Sequence, residues 1–84
     1  MNGFTMARAK RDFSRGLFVG AEIRWMGLGV GYGLWLNSIL GAVESGFLVD
    51  AKRREPRRFR TADACIKAFR EIGFDLRALK VEGD

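Results

Sequence analysis

The sequence contains no histidine and only one cysteine, Cys65. Histidine is the usual base beside a serine or cysteine nucleophile, and histidine and cysteine together supply most zinc ligands. One thiol is also too few for a disulfide within the chain. The acidic residues are scattered, and no two of them have a spacing that suggests acid–base chemistry. These absences predict a protein that is not an enzyme, with no catalytic residue, no metal site and no cofactor.

The chain is short, at 84 residues. A chain of this size buries only about 60% of the surface that its unfolded form exposes, so we expect one modest core and no cleft between lobes. A lone cysteine fits a reducing compartment, and the first residues lack the pattern of a secretory signal. Together these features predict a cytoplasmic protein.

Positive charge exceeds negative charge, with 15 Lys and Arg against 10 Asp and Glu and a net charge of +5. This balance favours a polyanionic partner, either phosphates or an acidic protein surface. Residues 1–15 contain few apolar residues and four cations, namely Arg8, Lys10, Arg11 and Arg15. We therefore predict a basic N-terminal arm over residues 1–15, either a mobile segment or a short frayed helix outside the core, and a single domain over residues 16–84.

Glycines alternate with apolar residues after Trp25, at Gly27, Gly29, Gly31 and Gly33. A period of two predicts a strand that has its side chains on one sheet face and bare backbone on the other. The spacing lacks the third glycine of the dinucleotide fingerprint, and no Gly-Lys pair follows it as in a phosphate-binding loop. A nucleotide-binding loop is therefore not expected.

Residues 25–43 carry no charge, and this run has about the length that a bilayer requires. Asn37 and Ser38 interrupt the run, and glycines weaken a helix. A membrane span is therefore the less favoured interpretation, and we expect no membrane partner.

The rest of the chain predicts short strands around one helix. Residues 17–25 and 47–51 are rich in β-branched and aromatic residues, which is typical of strands. Thr61 is a suitable N-cap for a helix that ends at Gly73, and its apolar stripe includes Cys65. Alternation from Leu79 onwards predicts a closing strand. The fold class is therefore α+β, a small antiparallel sheet of about four strands with one C-terminal helix packed on it, then a closing strand.

Six of the nine residues from Lys52 to Arg60 are basic, and Glu55 is the only acid among them. We name this segment the arginine loop; its cations are Lys52, Arg53, Arg54, Arg57, Arg58 and Arg60. On a hairpin tip these side chains could span several phosphates or meet an acidic surface, so they are the candidate partner-binding residues. The alternative is a solubilising loop beside a charged edge strand.

The class of anion is less evident from the residues. The predicted helix exposes only Lys67 and Arg70 as cations, which argues against a helix that reads the major groove of DNA. The aromatic residues of the sheet region have little charge nearby apart from Arg24, unlike an RNA-binding sheet. They are interpreted as core residues; the alternative is an apolar patch for a protein partner. These aromatic residues are Trp25, Tyr32 and Trp35.

The segment VDAKRREPRRFRTADACIKAFREIGF joins a strand, a basic turn with Pro-Arg, a Phe-x-Thr entry to a short helix, and an Ile-Gly-Phe stop. Over residues 46–82 this pattern resembles the KfrB-like plasmid proteins. It also resembles the short phage anti-CRISPR proteins that inhibit type I-E systems, which are similar to the KfrB-like proteins. The N-terminal half, including the alternating glycines, lies outside the resemblance.

The resemblance implies a sheet of about four strands with one helix, and a role in a mobile genetic element of a bacterial host. Its anti-CRISPR branch implies that the protein binds Cascade, the RNA-guided surveillance complex, and inhibits it by occupancy. Its plasmid branch implies plasmid maintenance or regulation, and the function considered with it is that of an accessory protein that binds DNA through the basic hairpin. The first function is the leading hypothesis and the second is the alternative.

Overall fold

In the computed structural model of the chain, residues 3–75, 77 and 79–82 are described. The helices and strands are β1 (Gly3–Phe4), α1 (Met6–Ser14), β2 (Phe18–Trp25), β3 (Tyr32–Ser38), a 3₁₀ turn (Ala42–Glu44), β4 (Gly46–Leu48), α2 (Ala62–Ile72) and β5 (Leu79–Glu82).

The five strands form one sheet in the order β1-β4-β3-β2-β5. The three central strands pair antiparallel, whereas each edge strand pairs parallel to its neighbour. The connections explain the parallel edges. Helix α1 joins β1 to β2 and helix α2 joins β4 to β5, and a helical connection lets the two strands that it joins run in the same direction. Because β2 and β4 also run in the same direction on either side of β3, each edge strand is parallel to its neighbour. The predicted α+β fold with α2 packed on the sheet is confirmed, and the sheet is mixed at its edges.

Strand β2 is present where the sequence predicts it. The prediction of a strand through the alternating glycines is right from Tyr32 onwards, where Gly33 lies in β3, but wrong for residues 26–31. Gly27, Gly29 and Gly31 have φ values of +116°, +81° and +97°, and they belong to the loop between β2 and β3. We name residues 26–31 the glycine loop. Glycine is preferred there because a tight reversal needs left-handed backbone, so the period of two comes from the loop and not from a pleated strand.

Helix α2 matches its prediction at both ends. The Oγ1 of Thr61 accepts a hydrogen bond from the backbone N–H of Ala64 at 3.1 Å, and Gly73 ends the helix with a φ of +126°. Cys65 and Phe69 on its inner face are buried. The Phe74 ring then stacks on the Phe69 ring with 4.8 Å between centroids, so the chain folds back onto the last turn of the helix.

The N-terminal segment is not an arm outside the core, and that prediction is wrong. Phe4 is buried in β1, and Ala9 in α1 is fully buried. The prediction was wrong because the cations lie on the solvent-facing side of a short helix. The opposite side of the same helix packs on the core. The Nζ of Lys10 lies 3.6 Å from the Glu71 carboxylate, so one of these cations links α1 to α2.

The core lies between the sheet and the two helices, with aromatic rings at its centre. The Phe74 ring also contacts Phe13 and Phe18, with centroids 4.7 and 5.8 Å away. Phe18 in turn packs edge-on against Phe4 at 5.1 Å. One sheet face is thus covered. The other face is formed by β2 to β4 residues of the opposite parity, and we name it the open face.

No helix in the described part of the chain is long and apolar enough to cross a bilayer. The uncharged run 25–43 folds instead into the glycine loop, β3 and the turn that follows it.

Two glycine substitutions test the structure of the glycine loop. A Cβ at Gly31 would strike the backbone carbonyl oxygen of Phe59, whereas a Cβ at Gly29 would meet nothing within 4 Å. We expect Gly29→Ala to lower the free energy of unfolding by about 1 kcal/mol, from its backbone conformation alone. Gly31→Ala should lower it by about 3 kcal/mol. Urea denaturation measures both, and equal losses would contradict the packing of Gly31 on Phe59.

Candidate functional site

The arginine loop is anchored to β4 by backbone hydrogen bonds. The N–H of Arg57 donates to the carbonyl of Leu48 at 2.9 Å, and Val49 forms an antiparallel bridge with Pro56. The predicted hairpin connection is thus present as a short bridge. Beyond it the chain leaves β4, and Phe59 pairs with Tyr32 on β3. Both ends of the loop are therefore fixed to the sheet.

Asp50 shapes the turn from inside the loop. Its Oδ1 accepts hydrogen bonds from the backbone N–H groups of Lys52 at 2.8 Å and Arg53 at 3.2 Å. These two hydrogen bonds, together with the nearby positive charges, lower the pKa of the Asp50 carboxyl. The carboxylate therefore stays ionised and keeps the turn in one conformation at neutral pH.

Arg54 has a left-handed backbone conformation, with a φ of +60°, which is unusual for a residue other than glycine. Its N–H donates to the Asp50 carbonyl at 2.8 Å, which closes a helical type of turn. Such a conformation costs about 1 kcal/mol or more, so the surrounding hydrogen bonds must hold it.

The six cations of the arginine loop are exposed. Within the described residues none of their side chains forms an ion pair with a carboxylate, although Arg8, Lys10, Arg11 and Arg77 elsewhere in the chain do. The Arg57 guanidinium lies over the Phe59 ring, 5.3 Å from its centroid, which orients it without neutralising it. The loop therefore concentrates positive charge that the fold does not compensate.

The structure divides five of these six cations among three depressions of the surface. Arg53, Arg57 and Arg58 line the first, of about 270 Å³, together with Asp50 and Glu55. Arg60 lines the second beside Trp25 and the glycine loop, also of about 270 Å³. Arg54 lines the third, of about 480 Å³, at the β1 edge of the open face. Lys52 is on the exposed turn. The loop is thus not one flat cationic patch.

The open face contains a second cluster that sequence reasoning missed. The Trp35 and Phe47 rings pack edge-to-face with centroids 5.0 Å apart, and the Arg24 guanidinium lies 4.1 Å from the Trp35 centroid. The interpretation of Trp35 as a core residue is therefore wrong, and Trp25 is 43% exposed. Only Tyr32 among the three packs against the core.

Hydrogen bonds order this cluster. The Glu22 carboxylate accepts from Arg24 Nη2 at 3.1 Å and from Asn37 Nδ2 at 2.9 Å, and the Asn37 Oδ1 accepts from Trp35 Nε1 at 3.0 Å. The signal in the sequence was the alternation of Glu22 and Arg24 with Ala21 and Ile23 along β2, which places the charged pair on the face opposite the core.

Cys65 is buried, as its position on the inner face of α2 predicts, and burial raises the pKa of its thiol from 9.0 to about 12. Its thiol is therefore neutral at physiological pH, and a neutral thiol is a weak nucleophile. Among the described residues, no three His, Cys, Asp or Glu side chains lie together in a way that could hold a metal ion.

Comparison of the chain with known protein families, with curated proteins and with solved structures gives no significant match.

The buried thiol generates a prediction on stability at alkaline pH. Above about pH 9 the unfolded chain releases the Cys65 proton, whereas the folded protein keeps it until about pH 12. The contribution of the protonated Cys65 thiol to the free energy of unfolding is therefore complete below pH 9 and is lost as the pH rises towards about 12. Between about pH 8 and about pH 10, wild type should lose about 1 kcal/mol more stability than Cys65→Ala in urea denaturation. Parallel losses in the two proteins would show that the thiol ionises freely in the fold.

The turn of the arginine loop generates a second prediction. In Asp50→Ala the amide protons of Lys52 and Arg53 should exchange with solvent about fivefold faster or more, because each loses its carboxylate acceptor. Hydrogen exchange by NMR measures this. Glu55→Ala is the matched control, since it removes an acid from the same loop but no hydrogen bond to these amides. Equal acceleration in both variants would mean that charge, and not the Asp50 hydrogen bonds, controls the exchange.

Proposed function

We propose that this protein is a non-catalytic binding protein of a mobile genetic element, and that its arginine loop docks on an acidic surface of a nucleoprotein complex. The partner proposed first is the type I-E Cascade complex, which the protein would inhibit by occupancy as an anti-CRISPR protein in the cytoplasm of the bacterial host. Cascade as the partner rests on the resemblance of residues 46–82.

The observation that carries the proposal is the uncompensated charge of the arginine loop. Cations of α1 and β2 find carboxylates within the fold, as Lys10 does with Glu71 and Arg24 with Glu22. The cations of the loop have no such partners among the described residues. Exposed like charges repel one another, so holding six of them in one ordered loop favours a partner that supplies the opposite charge.

The geometry supports docking by a preformed surface. The loop is fixed at both ends and its turn is held by Asp50, so little conformational entropy is lost when its cations meet a partner. Arginine suits such a surface because its planar guanidinium binds a carboxylate or a phosphate through two hydrogen bonds. Long-range electrostatic attraction would speed the encounter with the partner. Salt would weaken this attraction, because at physiological ionic strength exposed charges are screened beyond about 8 Å.

The alternative function is that of a plasmid accessory protein that binds DNA. The three arginines of the first depression favour it, because Arg53, Arg57 and Arg58 lie together and arginine binds phosphate as readily as carboxylate. Both functions use the same cations, so a direct comparison of the two ligands separates them.

Charge reversal in the arginine loop tests both functions. We expect Arg57→Glu/Arg58→Glu to weaken partner binding by at least about 30-fold, because two attractive contacts become repulsive. Lys67→Glu/Arg70→Glu on α2 is the matched control, with the same change in net charge, and should alter binding by less than about threefold. Circular dichroism checks that both variants keep the fold. Full binding by the loop variant would remove the arginine loop from the proposed function.

The ligand is identified by two parallel measurements on the wild-type protein and the same variants. One is fluorescence anisotropy with labelled duplex and single-stranded DNA, and the other is co-purification with type I-E Cascade. Retention on Cascade with negligible DNA binding supports inhibition of Cascade. Tight, steeply salt-dependent DNA binding without retention supports the plasmid function.

A further inference from the structure

A surface cavity lies beside the arginine loop, at the β1 edge of the open face. Its volume is about 480 Å³, and it is lined by Gly3, Thr5, Arg8, Phe47, Val49, Arg54 and Pro56. We name it the edge cleft. Phe47, Val49 and Pro56 make part of its surface apolar, while two arginines bring positive charge to it.

The two arginines differ in their electrostatic state. The Arg8 Nε lies 3.5 Å from the buried Asp12 carboxylate, its Nη1 donates to the Gly3 carbonyl at 3.3 Å, and its guanidinium lies over the Phe4 ring. Arg54 forms no ion pair within the described residues. The edge cleft therefore has one cation that an ion pair fixes in place, and one uncompensated cation, which lies on a strained turn.

Glycine at position 3 is required by the same geometry. A Cβ there would lie 2.7 Å from the Val49 Cγ1, so a larger residue would push β1 away from β4 or displace Val49. With glycine, β1 pairs with β4 beside Phe47, and the edge cleft keeps its apolar surface.

We propose that the edge cleft binds a carboxylate next to an apolar side chain, presented by an acidic segment of the partner protein. The apolar side chain contacts Phe47, Val49 and Pro56, and the carboxylate pairs with Arg54. This inference rests on the proposed docking to an acidic surface, and it adds a specific recognition site to an otherwise electrostatic contact.

A carboxylate fits the edge cleft better than a nucleic-acid backbone does. Backbone binding depends on several cations that follow successive phosphates, and of the two arginines here Arg8 is already held by Asp12, a carboxylate that it shares with Arg11. One uncompensated guanidinium matches one carboxylate. The Phe47 ring is packed on the Trp35 ring, and Val49 and Pro56 are aliphatic, so the surface suits an apolar side chain better than a stacked base.

Two small molecules test this site without the partner. Phenylpropionate and phenylpropionamide have the same apolar body, and only the first has a charge. Each is titrated into the folded 84-residue protein while backbone amide shifts are followed by NMR. We expect shifts at Gly3, Phe47 and Val49, and about tenfold tighter binding of the carboxylate, because a hydrogen bond to a charged group contributes more than one to a neutral group.

Matched variants locate the charge. Arg54→Asn should remove the tenfold preference, and asparagine tolerates the left-handed backbone of that position. Arg58→Asn loses the same charge outside the edge cleft and should keep the preference. Equal affinity for the two molecules, shifts confined to other residues, or no binding would each overturn the proposal. Tighter binding of phenyl phosphate than of phenylpropionate would overturn it in favour of a nucleotide.

The outcome is separable from that of the proposed function. Arg57→Glu/Arg58→Glu should weaken docking on the macromolecular partner by at least about 30-fold, yet change phenylpropionate affinity by less than about threefold, since neither residue lines the edge cleft. If docking depends on the arginine loop while phenylpropionate fails to bind, the edge cleft alone is wrong. If phenylpropionate binds and no docking occurs, the proposed function is wrong and the site stands.

Discussion

Two backbone hydrogen bonds between Tyr32 and Phe59, of 2.7 and 2.9 Å, tie the arginine loop to the central strand β3. They lie beside the buried Phe59 ring and two residues before Thr61, the N-cap of α2. They also bring the Phe59 carbonyl against Gly31, which therefore has to be glycine. Buried backbone groups need such partners, so this junction fixes the glycine loop, the arginine loop and the start of α2 at once.

The sequence predicted helix α2 correctly because every signal for it lies within the helix or at its ends. The cap at Thr61, the stripe through Cys65 and the stop at Gly73 define α2 without reference to the rest of the chain. The alternating glycines satisfied the period of a strand equally well, and only their backbone conformation distinguishes a loop. The packing of the N-terminal helix on the core was missed because charge dominates its composition, although Met6, Ala9 and Phe13 recur at helical spacing on the face that meets the core.

The candidate site was predictable in composition but not in arrangement. The six cations of the arginine loop lie within nine consecutive residues, so their exposure could be expected. Their division among three depressions depends on the Val49 to Pro56 bridge and on the conformation of Arg54, which no periodicity encodes. The Trp35 cluster depends on the register that places Glu22 opposite Trp35, a long-range pairing that residue types alone do not determine.

The parallel pairing of β1 with β4 has a consequence for the order of folding. Gly3 and Phe47 are neighbours in the sheet but far apart in the chain, and contacts of that kind carry a high entropic cost of loop closure. The β2 and β3 hairpin joins neighbouring segments and can form early. The edge cleft, built across the β1 and β4 junction, should therefore be assembled late, when the hairpin that supports the arginine loop is already in place.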